Sequence, residues 1–148
     1  LKEKFEIVDS SSFILRYLND NLIYKKLNED IVIHEPCSLK NTDSLGNLKK
    51  IASLCTSSVV EPQGIECCGF AGDRGFFEPE VNENALKNLK NKKFSKARRG
   101  FSQSLPCEIG LSFYTGVPYR SIIDLVDECT VKGPEGKSER KEDLECIT

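Results

Sequence analysis

The chain has 148 residues, 39% of them hydrophobic and 30% charged, with a formal net charge of -2. That is long enough for one domain with a real core, and the charge gives no bulk attraction to nucleic acid or an anionic membrane. No run approaches the roughly 18 apolar residues of a membrane span, and no basic-then-apolar leader opens the chain, so a cytoplasmic protein is expected.

The first residue is Leu1 where a whole protein would carry Met, which suggests a piece of something longer. Residues 5–9, FEIVD, read as a short strand. Phe13, Ile14, Tyr17, Leu18 and Leu22 then recur at helical spacing behind a serine-rich start suited to capping. IVIHEP (31–36) is a second strand, continuously apolar as a buried parallel strand is. Leu45, Leu48, Ile51, Ala52 and Cys55 share one helical face, and SSVVEP (57–62) is a third, shorter strand. Residues 80–94 make a polar-faced helix whose apolar side is Val81, Ala85, Leu86 and Leu89. GFSQS (100–104) is a weaker strand leading into a helix over 106–115 that Gly116 terminates. The last helix, 119–130, turns Ile122, Ile123, Leu125, Val126 and Cys129 inward. The domain therefore spans 1–131, and 132–148 is a charged tail without a core pattern, expected to be flexible.

Strands alternating with helices predict an α/β fold: a small, mostly parallel sheet of about four strands, flanked by helices. Sites in such sheets form beyond the carboxyl ends of the strands. Seven cysteines are many for this length. Cys55 and Cys129 fall in apolar helical patterns and read as core thiols, and Cys146 sits in the polar tail. The other four follow strands: Cys37 the second, Cys67 and Cys68 the third, Cys107 the fourth. All four should reach the same edge of the sheet, where helix N-termini favour thiolates.

Three readings of these thiols compete. Four thiolates suit zinc or an iron–sulfur cluster by count. Adjacent side chains diverge, which makes one small ion awkward for Cys67 and Cys68 together and suits a cluster with several irons. Gly64, Gly69 and Gly72 would let the backbone close around such a group. Second, Cys68 and Arg74 stand in Cys-x5-Arg spacing, as in a loop that cradles an oxyanion for a nucleophilic thiolate. Asp73 within that loop and the lack of a Ser or Thr after Arg74 weigh against a phosphatase-like enzyme. Third, the thiols pack or hold zinc as a staple; a disulfide between Cys67 and Cys68 would be strained.

The segments HEPCSL, ECCGFAGDRGFFEPE and SLPCEIGLSFYTGVPYRSIIDLVDE resemble successive blocks of the CCG cysteine-rich domain, the module found in heterodisulfide reductases and in glycolate and lactate oxidases. The resemblance spans about residues 29–130 and is nearest to the C-terminal region of bacterial FAD-linked, iron–sulfur D-lactate dehydrogenases. It implies that Cys37, Cys67, Cys68 and Cys107 are ligands of a [4Fe–4S]-type cluster or of zinc, with no catalytic residue in this piece. The fullest pattern ends in Cys-x-x-Cys, whereas this chain has Ser104 before Cys107, which argues against five thiolates. It also implies a parent oxidoreductase that oxidises D-lactate or a similar 2-hydroxy acid on FAD. Electrons would pass through iron–sulfur centres to quinone or another acceptor, with flavin-binding and ferredoxin-like regions as partners and a place at the inner face of the membrane. This piece carries no dinucleotide fingerprint, so the isolated fragment should lack complete activity.

His34, the sole histidine, reads as a strand-end residue satisfied by backbone, or as a group that tunes or ligates the centre. Asp73 and Arg74 read as an ion pair, Glu108 as a dipole-favoured residue, and Phe76 and Phe77 as core or shielding residues. The basic run 87–99 reads as a solvated face, or as a dock for an acidic partner.

Overall fold

A computed structural model describes residues 6–62, 64–89 and 97–133. It opens with a short helix, α1 (Ser10–Phe13), which continues as a π-helical turn over Ile14–Leu18 and leads to β1 (Leu22–Tyr24). Three strands follow in the order β2 (Leu27–Ile33), β3 (Thr56–Val60) and β4 (Arg99–Ser102), and a fourth is β5 (Tyr119–Ser121). These four form one sheet in the order β3-β2-β4-β5, parallel throughout. A last strand, β6 (Thr130–Lys132), pairs antiparallel with β1.

The sheet is covered on both faces. Helices α2 (Asn47–Cys55) and α6 (Ile122–Cys129) contribute Leu48, Ile51, Leu125 and Val126 to one cluster, together with Ile31, Ile33 and Phe101 from the sheet. Val32 points the other way. It joins Leu86 of α4 (Pro79–Leu86), Leu111 of α5 (Leu105–Thr115), Phe70 and Tyr119. The period of two in Ile31-Val32-Ile33 serves two cores at once, which is why this end of β2 is apolar without alternation. Between β3 and α4 lies one further turn of helix, α3 (Arg74–Phe77).

The expected α/β class and four-stranded parallel sheet are present, with one strand exchanged. Residues 6–9 form no strand, and Phe5 lies outside the described residues. Asp9 instead caps α1, accepting from the Ser12 amide at 3.0 Å, and Ile7 is 98% exposed, so apolar content without a neighbouring strand gives no pairing. The fourth strand comes from residues expected to begin the last helix. The Tyr119 ring lies on Gly100, where an added Cβ would sit 2.6 Å from ring atoms, so the glycine is what lets β5 pair there. The helix expected over 80–94 runs as Pro79–Leu86, and 90–96 lie outside the described residues. Lys132 closes β6 rather than opening a tail, and 134–148, with Cys146, lie outside the described residues. Among the described residues no helix is long and apolar enough to cross a membrane.

Strand order and helix placement together create a crevice. From β2 the chain crosses through α2 on one face to β3; from β4 it crosses through α5 on the other face to β5. Opposite directions on opposite faces give the two crossovers the same hand. The loops after β2 and β4, neighbours in the sheet, therefore leave towards different faces and open a gap at the carboxyl edge.

Candidate metal centre

Cys37 and Cys107 lie at the starts of the two segments that leave β2 and β4 and flank this crevice. After β2, Pro36 turns the chain into a single 3-10 turn, Cys37–Leu39, which leaves Cys37 exposed. After β4, Ser104 is extended and α5 begins, with Cys107 buried in its first turn. The third contribution comes from the loop between β3 and α3. Backbone φ is positive there at Gly64, Gly69, Ala71 and Gly72, which curls the segment tightly enough to bring Cys67 and Cys68 back over the sheet edge.

The structure brings all four thiols together. Cys37 Sγ lies 3.5 Å from Cys67 Sγ, and Cys68 Sγ lies 3.1 Å from Cys107 Sγ. The adjacent side chains diverge, Cys67 towards the β2 loop and Cys68 towards α5, as successive residues do on a curled backbone. The Gly69 amide also donates to Cys67 Sγ at 3.4 Å. Among the described residues, no three His, Cys, Asp or Glu side chains close on one point as ligands of a single ion.

The sulfurs are electrostatically unequal. Cys68 is only 3% exposed, yet the Cys107 thiol beside it outweighs burial and pulls it down to about 6. Cys107 is pushed up in return, by Cys68 first and then by burial, while the Ser104 hydroxyl works in the opposite sense. These opposite shifts make Cys68 the more thiolate-prone member of the pair. At Cys67 the Gly69 amide favours the thiolate, but burial and the neighbouring Cys37 and Cys68 raise it on balance. Cys68, held low by Cys107 and by the Phe70 backbone amide, is the kind of sulfur that a metal or cluster needs, so the donor set fits such a group in kind.

A profile of the CCG cysteine-rich domain matches residues 31–111. The chain belongs to the CCG family. Among curated proteins and among solved structures nothing matches. In this CCG domain the matched span runs from β2 into α5 and so contains all four clustered cysteines.

The remaining candidates sort out clearly. Cys55 and Cys129 are buried in the core cluster on the α2/α6 face, as their apolar settings imply. His34 is buried; its Nδ1 lies 3.5 Å from the Ser102 hydroxyl, which donates to the His34 carbonyl at 3.0 Å. Burial, helped by Lys40, lowers it to about 4, so it is neutral. The ring lines a cavity of about 180 Å³ that also reaches Lys40, Glu61 and Ile65. Arg74 does not pair with Asp73; its guanidinium is held by Glu78 at 2.6 Å on the surface, one helical turn on. The side chain that would clamp an anion over Cys68 is thereby engaged. Phe76 and Phe77 are not core: they are 64% and 79% exposed, because α3 is too short to turn a second face inward. Glu108 is buried in the first turn of α5, where burial and Asp124 push its carboxyl up. From the basic run, Arg99 is a strand residue that pairs with Glu29 and Glu128.

Sequence reasoning missed Asn82. It is 1% exposed on α4, and its side-chain amide donates to the Cys68 carbonyl. Its position three and four residues before Ala85 and Leu86 put it on the apolar side, where a polar residue was itself the signal. Val81, expected there, is 40% exposed instead.

Proposed function

We propose that this CCG domain binds an iron–sulfur cluster through Cys37, Cys67, Cys68 and Cys107 and serves as the C-terminal redox module of an FAD-linked, iron–sulfur D-lactate (2-hydroxy acid) dehydrogenase. The observation that carries the reading is the gathering of thiols from three separate loops at one sheet edge, with Cys68 held low by Cys107. When bound, a cluster would supply one-electron transfer at this edge. The chain's own part is to hold the thiolates, to offer the Gly69 amide to a sulfur, and to keep Cys68 and Cys107 out of water. Hydride transfer from the hydroxy acid belongs to a flavin-binding region elsewhere in the parent, and quinone or another carrier takes the electrons, on the cytoplasmic side. The exposed side chains of Phe76, Phe77, Leu105 and Phe113 support docking against the parent's other regions, because exposed aromatic surface of this kind marks contact sites.

Chain produced without oxygen should be brown and contain iron and acid-labile sulfide. Cys68→Ser should remove the iron, whereas Cys129→Ser should keep it. Equal iron content in the two variants would defeat the ligand assignment. In the parent enzyme, Cys68→Ser should leave D-lactate able to bleach the flavin while acceptor reduction falls; unchanged acceptor reduction would defeat the relay.

A zinc staple is the second reading. The sulfur pairs at 3.1 and 3.5 Å are near the about 3.8 Å edge of a zinc–thiolate tetrahedron. Colourless protein with one zinc per chain would establish it in place of the cluster.

A further inference from the structure

We propose that Asn82 is a positioning residue of the cysteine site: it fixes the Cys68–Gly69 peptide so that the amide of that peptide stays on the Cys67 sulfur. The purpose of this device rests on the reading of Cys67 as a metal-binding sulfur; its geometry does not.

Asn82 Nδ2 donates to the Cys68 carbonyl. A carbonyl only accepts, so the NH2 end must face it, and the amide has one possible orientation. Its Oδ1 is then left buried without a hydrogen-bond partner among the described residues. An orphaned buried acceptor is costly, and an apolar side chain of the same shape would avoid that cost. Packing alone therefore does not account for an amide at this position, whereas the bond to Cys68 does.

The peptide that Asn82 grips is the one that serves Cys67. A trans peptide is a rigid plane with C=O and N–H pointing in opposite directions, and no cis bond occurs among the described residues. With its carbonyl tied to α4, the Cys68–Gly69 unit must present its N–H on the far side, where it meets Cys67 Sγ at 3.4 Å. Two glycines make the arrangement possible. At Gly69, where φ is 73°, a Cβ would lie 2.6 Å from Ala85 Cβ and 2.8 Å from the Val81 carbonyl, so α4 presses directly on this peptide. At Gly110 a Cβ would lie 2.7 Å from Asn82 Nδ2, so α5 leaves room for the amide. A backbone donor held on a ligand sulfur stabilises its negative charge and orients it.

The test uses 15N-labelled, metal-free chain and two readouts. In the wild type, one Nδ2 proton of Asn82 should be protected from exchange and shifted from its partner; two equivalent, rapidly exchanging protons would overturn the proposal. Asn82→Leu keeps the shape and removes the donor. It should speed exchange of the Gly69 amide by about tenfold, the scale of one lost hydrogen bond, while the Phe101 amide in the sheet stays as it was. An unchanged Gly69 rate in a folded Asn82→Leu chain would overturn the proposal, and should that chain not fold, the wild-type readout decides alone. Because no metal is present in either measurement, an iron-free wild type would sink the proposed function and leave this result standing.

Discussion

His34 shows how a single side chain ties the site to the stability of the sheet. It sits just beyond β2, with its backbone amide bonded to the Phe101 carbonyl at 3.0 Å and its ring buried. Burial first, and Lys40 second, hold it at about 4, against about 6.5 in an unfolded chain. Between those values the unfolded chain takes up a proton that the folded one refuses. The His34 contribution to stability should therefore be full above about pH 6.5, fall as pH drops towards 4, and level off below it, by roughly 3 kcal/mol in all. Urea unfolding of metal-free chain across that window should show the slope, and His34→Gln should flatten it. A variant that keeps the full slope would mean the ring is hydrated and not buried neutral. At this scale the sequence was legible where a residue type has few uses. Cysteines after strands could be placed at one edge from pattern alone. Phe76, Asp73 and Arg74 could not, because which of several neighbours an aromatic ring or charged group meets is decided by the turn of α3.

The element that governs the site is the glycine-rich loop between β3 and α3. Its curl depends on positive φ at Gly64, Gly69 and Gly72, but the three positions differ in surroundings. A Cβ at Gly64 meets nothing within 4 Å, whereas one at Gly69 collides with Ala85 and with the α4 backbone. Gly64→Ala should therefore cost only the left-handed backbone penalty, about 1 kcal/mol. Gly69→Ala adds a clash that α4 can relieve only by moving, and should cost about 3 kcal/mol or more. Denaturant midpoints of the two variants, side by side, give the comparison; equal losses would mean that α4 does not clamp the loop. The same contrast explains which elements could be seen in the sequence. Helix α2, with Leu48, Ile51, Ala52 and Cys55 buried on one face, and the Ile31-Val32-Ile33 end of β2 carry their own signal. Leu45, expected on that helical face, precedes the helix and is exposed. Strands β1, β5 and β6 have three residues each and exist because a partner is beside them, which no local pattern records.

For the whole molecule, the decisive feature is that β1 and β6, more than a hundred residues apart in the chain, meet. Leu22, Ile23 and Tyr24 pair with Lys132, Val131 and Thr130, and the Gly133 amide adds a bond of 2.8 Å to the Asn21 carbonyl. This two-stranded ribbon borders the core on the α2/α6 face. Leu22 and Tyr24 pack against the cluster that contains Cys55 and Cys129, and those two thiols also act on the Tyr24 hydroxyl, which burial has already raised. The ribbon is thus a cover for two core thiols that have no part in the metal site. A chain ending at Cys129 would keep α6 but lose β6, and β1 would have no partner. Compared with a chain ending at Gly133, it should be less stable by roughly 2–4 kcal/mol, the net worth of a few hydrogen bonds and their packing. Local opening of β1 should then expose Cys55 and Cys129 to an alkylating reagent at least about tenfold faster. Mass mapping of the labelled peptides separates these two from the four site thiols, which should react alike in both chains. Equal labelling of Cys55 and Cys129 in the two chains would show that α2 and α6 seal this core by themselves.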